Sequence, residues 1–183
     1  MNYLAIDNCS VCNGIGFRIV LWVAGCQHFC KDCQNPETWN FNAGNVITMQ
    51  TIENIIELLK PSYIKGLTLS GGDPLNPQNV LKYEPNTNTI TTYDIIKTIR
   101  NTISDTKDIW VYTGYTWNEL IKLANQHSEY KFILDNVNVI VDGKFDTLCK
   151  DITLPFRGSY NQNIIDVPKS LLMNKLVLWE KEV

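Results

Sequence analysis

The chain has 183 residues, a net charge of −3 and 44% hydrophobic residues. That length sets a single domain, 1–183, as the expectation, and the apolar share supports a full core and argues against disorder. Near-neutral charge gives no general affinity for nucleic acid, the longest apolar run is far short of the ~20 residues that span a bilayer, and residues 1–7 carry no signal-peptide pattern, so a cytoplasmic location is expected.

In chain order, residues 3–6 read as a short strand, with Cys9 and Cys12 in the polar stretch after it. Asn13-Gly14-Ile15-Gly16 punctuates the chain, and the apolar content of 17–24 predicts a buried strand. Residues 35–39 are turn-like. Thr48 caps a predicted helix with Ile52, Ile55, Ile56 and Leu59 on one face, and Pro61 ends it. Residues 66–70 form the next strand, running into Gly71-Gly72-Asp73-Pro74-Leu75. Residues 82–91 read as an exposed loop. Thr92 starts a second helix, 109–113 is a strand, and Thr116 with Glu119 forms a capping box for a third helix. Further strands are expected at 137–142, 163–167 and 175–179. Strands alternating with helices mean βα units and a mostly parallel sheet. The count fits a partial, open βα barrel, because a closed eightfold one needs ~250 residues.

The chemistry concentrates in Cys26-Gln27-His28-Phe29-Cys30-Lys31-Asp32-Cys33. Three thiolates at C-x3-C-x2-C can converge on a soft metal centre. They are one short of the four Cys of a usual 4Fe–4S cluster, which leaves one iron open to a ligand. Ordinary buried thiols are a poor account of three cysteines in so short a polar loop. A zinc-binding interaction module on Cys9, Cys12, Cys30 and Cys33 fits the spacing but strands Cys26. A disulfide framework suits smaller, secreted chains.

Gly71-Gly72 allows a ligand close to the backbone, Asp73 offers a carboxylate and Pro74 stiffens the turn; alone, this stretch is a plain tight turn. In parallel sheets ligands sit at the carboxyl ends of strands. The cysteine loop, 71–75, Thr113-Gly114, Asp142-Gly143 and 157–161 all fall at such ends. The simplest readings of the remaining candidates are a solvated loop residue for His28, a helix-end residue for His127 and a lone thiol for Cys149. Arg157 faces either a partner or a cofactor.

The cysteine loop resembles the signature loop of the radical S-adenosylmethionine (SAM) enzymes. Gly71-Gly72-Asp73 resembles their GGE motif, with Asp in place of Glu. The blocks Asn13-Gly14-x-Gly16-Phe17-Arg18, Asn35-Pro36-Glu37-Thr38-Trp39, Trp110-x-Tyr112-Thr113-Gly114-Tyr115, Asp142-Gly143-Lys144-Phe145 and Arg157-Gly158-Ser159-x-Asn161-Gln162 narrow the likeness to the activating proteins of anaerobic ribonucleoside-triphosphate reductase. The resemblance implies a 4Fe–4S cluster on Cys26, Cys30 and Cys33. It implies SAM contacts from Asp32, Cys33, Gln34, Gly71, Gly72, Asp73, Pro74 and Thr113, and no catalytic acid or base. It implies a radical SAM type of barrel, a low-potential electron donor, and the catalytic subunit of anaerobic ribonucleotide reductase as the partner that receives a glycyl radical. Ile15 and Asn163 depart from the family's commoner Pro and Arg, and Asp32 stands where many radical SAM proteins carry an aromatic residue. A radical SAM enzyme acting on a small molecule, such as a deazapurine precursor, is the alternative within the class.

Overall fold

The computed structural model describes residues 1–82, 89–103 and 106–180. The elements in chain order are β1 (Asn2–Ser10), β2 (Phe17–Val23), β3 (Asn45–Val46), α1 (Met49–Leu59), β4 (Ile64–Gly71), α2 (Pro77–Val80), α3 (Thr92–Thr102), β5 (Asp108–Tyr112), α4 (Trp117–Gln126), α5 (Ser128–Asn136), β6 (Val139–Asp142), β7 (Asn163–Asp166) and α6 (Val167–Met173). The strands form one open sheet in the order β3-β1-β2-β4-β5-β6-β7.

Its four central strands, β2, β4, β5 and β6, run parallel. Both flanks are antiparallel. The parallel expectation therefore holds at the centre and gives way at the edges. The connection from β1 to β2 is short and carries no helix, and such a link can join only antiparallel neighbours. β1 is also longer than the expected 3–6, and Cys9 lies on it. Residues 175–179 do not form a ladder. They touch β7 through the Ile165–Leu178 bridge and bonds from Asp166 N–H to Val177 O (3.0 Å) and Trp179 N–H to Ile164 O (2.8 Å). Most of the expected loop 82–91 lies outside the described residues.

Alternation along the strands sorts the two faces. Ile19, Leu21 and Val23 of β2, Leu67 and Leu69 of β4, Ile109 and Val111 of β5, and Ile140 of β6 pack with Ile52, Ile55 and Leu59 of α1, Ile95, Ile96 and Ile99 of α3, Leu120 of α4 and Ile133 of α5. This is the main core. The opposite face holds Trp110, Val139, Val141 and Ile164, with Tyr112, Phe156 and Trp179 against them. Helices thus cover one face only, and the other is free to carry a cavity.

Arg18 lies fully buried at the floor of that second face. Its guanidinium donates to Thr68 Oγ1 (2.7 Å) and Leu67 O (2.8 Å), pairs with Asp108 and sits over the Trp110 ring. Burial pulls its pKa below the usual arginine value, with Asp108 opposing. A buried cation is tolerated when every donor finds such partners. Among the described residues no helix is long and apolar enough to cross a membrane.

Candidate active site

The carboxyl ends of β2, β4, β5 and β6 bring four loops together. The first leaves β2 at Gly25, whose φ of +98° few other residues adopt and where a Cβ would strike Phe41. Gly25 N–H donates to Thr38 O (2.7 Å) and Cys26 N–H to Trp39 O (3.1 Å), so the two ends of the thiol loop are pinned side by side. Phe29 and Asp32 take left-handed conformations, at φ 48° and 56°, which curl the loop between its cysteines. The Phe29 ring packs edge-on against Trp39 at 5.3 Å.

Cys26, Cys30 and Cys33 are free thiols, each partly buried, and all three line one cavity of about 320 Å³. Burial pushes the Cys26 thiol up to about 11, against a backbone hydrogen bond at His28; the Asp73 carboxylate and the other two thiols add to the rise. Burial also raises Cys30, opposed by a backbone bond at Phe145. Asn35 N–H points at Cys33 Sγ from 3.4 Å. Cys12 reaches the same cavity wall, but Cys9 does not, so the four thiols of the zinc reading do not share a wall.

The second loop is 71–75. Gly71 (φ +100°) and Gly72 line the cavity, and their lack of side chains has a packing reason of its own. A Cβ on Gly71 would meet Val23 O at 2.7 Å, and one on Gly72 would meet Gly25 O at 2.6 Å. The glycines let this turn seat against the root of the thiol loop. Gly72 N–H donates to Val23 O and Asp73 N–H to Gly25 O, both at 2.8 Å. Asn79, 2% exposed, ties the same corner with one amide group that reaches Ala24 O (3.0 Å), Gly25 O (3.3 Å) and Asp73 O (2.9 Å).

Thr113, after β5, and Gly143 and Lys144, after β6, complete the rim. The 157–162 block folds onto it. Gln162 Nε2 donates to Gly143 O (3.0 Å), Asn161 Nδ2 to Lys144 O (2.7 Å), and Arg157 Nη1 to Gln162 O (2.7 Å). Thr147 Oγ1 donates to Lys31 O (3.0 Å), so this segment also touches the thiol loop.

Of the residues expected to contact SAM, Cys33, Gln34, Gly71, Gly72 and Thr113 line the cavity. Asp32, Asp73 and Pro74 are not among its lining residues. Asp32 is exposed and accepts from Thr147 Oγ1 at 3.2 Å. The Asp73 carboxylate is turned inward, and Pro74 O accepts from Thr92 Oγ1 at 2.7 Å. His28 is not a solvated loop residue: its side chain is 9% exposed and bonded to Asp73. Sequence reasoning met Trp39 only as the end of a motif block and did not pick out Asn79, which carries no local signal at all.

The donor set suits a cluster. Trp39 Nε1 and Arg157 Nε, both on cavity-lining residues, are buried without a hydrogen-bond partner among the described residues. Orphan donors on a cavity wall are satisfied when a bound group supplies acceptors. Among the described residues no group of three or more His, Cys, Asp or Glu forms a site for a single metal ion. A cluster makes no such demand, because each thiolate binds a different iron.

An open α/β sheet with three free thiols on one strand-end loop defines an iron–sulfur protein. The family model described as a 4Fe-4S single cluster domain matches residues 12–165. The chain belongs to the anaerobic ribonucleoside-triphosphate reductase-activating proteins. It is 39% identical over 164 residues to the protein of that name from Enterobacteria phage T4, covering 90% of this chain and 93% of that one. It is 41% identical to the Haemophilus influenzae protein (90% and 97% covered) and 40% identical to the Escherichia coli K12 protein (88% and 96%).

Proposed function

We propose that this chain activates an anaerobic ribonucleotide reductase by generating a glycyl radical on it, through reductive cleavage of SAM at a 4Fe–4S cluster held by Cys26, Cys30 and Cys33. The observation that carries this reading is one cavity that gathers the three thiols, the Gly71-Gly72 turn and Thr113 at the ends of parallel strands. When bound, the cluster and SAM supply a one-electron C–S bond cleavage whose carbon radical takes a hydrogen atom from a glycine of the partner.

The protein's own part is position and dryness. Cys26, Cys30 and Cys33 would hold the cluster, with room in the same cavity for SAM. Gly71 and Gly72, with Gln34 and Thr113, line the same space and suit the methionine end. Trp39 Nε1 and Arg157 Nε supply donors that have no partner among the described residues. Tyr112 and Phe156 give the cavity apolar wall, and water is excluded when the partner closes its mouth. No side chain acts as acid or base.

On this reading 1–183 is a single domain of the partial radical SAM barrel type, acting in the cytoplasm with a low-potential electron donor. The docking loops would be those around 35–42 and 157–161. The test mixes both proteins with SAM and reductant without oxygen and records the electron paramagnetic resonance spectrum. A glycyl doublet is expected only when both proteins are present, and none with Cys26→Ala, Cys30→Ala or Cys33→Ala. SAM cleavage without a doublet would move the assignment to a small-molecule substrate.

A further inference from the structure

Most polar side chains around the cavity serve the backbone beside them. His28 instead leaves the thiol loop between Cys26 and Cys30 and reaches a carboxylate 45 residues further along. Its Nε2 lies 2.6 Å from Asp73 Oδ2. The imidazole packs against the Tyr115 ring at 4.8 Å, and a Cβ on Gly114 would run into it. Asp73, 1% exposed, also accepts from Leu75 N–H (2.9 Å), Thr113 Oγ1 (2.8 Å) and Gly114 N–H (3.1 Å). Four donors fill the acceptor sites of a carboxylate. None is left for a bound ligand.

The backbone bonds from Gly72 and Asp73 hold only residues 23–25, the root of the thiol loop. We propose that His28 and Asp73 are a matched clamp, two positioning residues that fix the middle of the thiol loop against the Gly71-Gly72 turn and so set the distance at which a group on the thiols meets a group on the turn. The clamp rests on the reading of the cavity given above. It also accounts for Asp in place of the Glu of the GGE motif. One more methylene would push the carboxylate about 1.5 Å further, into an imidazole that already has Gly114 and Tyr115 behind it. The short acid and the histidine belong together.

The test uses the full chain in two states. In metal-free protein, hydrogen exchange of the 26–33 amides reads the clamp directly. His28→Leu and Asp73→Glu should each speed that exchange about tenfold or more, whereas His28→Gln, which keeps an N–H donor, should stay close to wild type. Adding His28→Asn to Asp73→Glu shortens one partner as the other lengthens and should restore slow exchange. Amides of β4 and β5 report whether a variant is folded. In reconstituted protein, His28→Leu should weaken SAM binding about tenfold with iron and sulfide content unchanged. Loop exchange in folded His28→Leu within about twofold of wild type overturns the clamp, as does a double variant no slower than Asp73→Glu alone. A wild type that shows the clamp but binds no SAM would instead overturn the activase reading.

Discussion

Cys26 gives the site its clearest pH signature. Its thiol is raised by burial from 9.0 to about 11, so the folded chain keeps this proton where the unfolded chain has lost it. The stability it contributes is full below pH 9 and is lost as pH rises through about 11. Urea midpoints of metal-free protein should fall across that window, and Cys26→Ala should flatten the fall; equal slopes would remove burial as the cause. A metal must displace the same proton, so cluster assembly releases acid. Gly72 carries a second prediction. A side chain there meets Gly25 O, not open space. Gly72→Val should therefore lower iron incorporation as well as SAM affinity, by about tenfold each, read by iron analysis and equilibrium binding. Normal iron content with lost SAM affinity would restore the simpler picture of a ligand-facing glycine. That Cys26, Cys30 and Cys33 would gather at one site was legible from their spacing. The burial of His28 was not, because it depends on a partner 45 residues away.

The helices show which signals travel in sequence. α1 and α4 begin where the Thr48 cap and the Thr116–Glu119 capping box predict. α3 starts at Thr92, as expected, and is capped by Thr91. The Thr91-Thr92 pair is ambiguous by composition, and Asp94 resolves it: its Oδ2 accepts from Thr91 N–H at 3.0 Å and from Thr91 Oγ1 at 2.9 Å. Thr91→Ala should cost about 1–2 kcal/mol by urea denaturation, the upper end because this cap is 1% exposed. An unchanged midpoint would mean that another acceptor takes over the Asp94 N–H. α5 escaped notice because His127 closes α4 and opens α5 with no Gly or Pro between them. The antiparallel edges were missed for a related reason. Strand composition reports burial, and direction is set by the connection.

At the scale of the whole molecule, helices on one face leave irregular chain to cover the other. Residues 144–162 roof the cavity side, and the last described residues cover the far end, where Trp179 meets Trp110 at 5.3 Å. Trp179→Ala should lower stability by roughly 2 kcal/mol in urea unfolding and leave 26–33 exchange unchanged. Faster exchange in that loop would show that floor and rim are mechanically joined. The clamp has one more consequence, in the order of biosynthesis. The three thiols leave the ribosome first. Asp73 follows His28 by 45 residues, and Thr113 follows Asp73 by another 40. Until then the middle of the loop keeps no set distance from the Gly71-Gly72 turn. Iron could be taken up early, but the spacing between a group on the thiols and a group on the turn belongs to the finished chain.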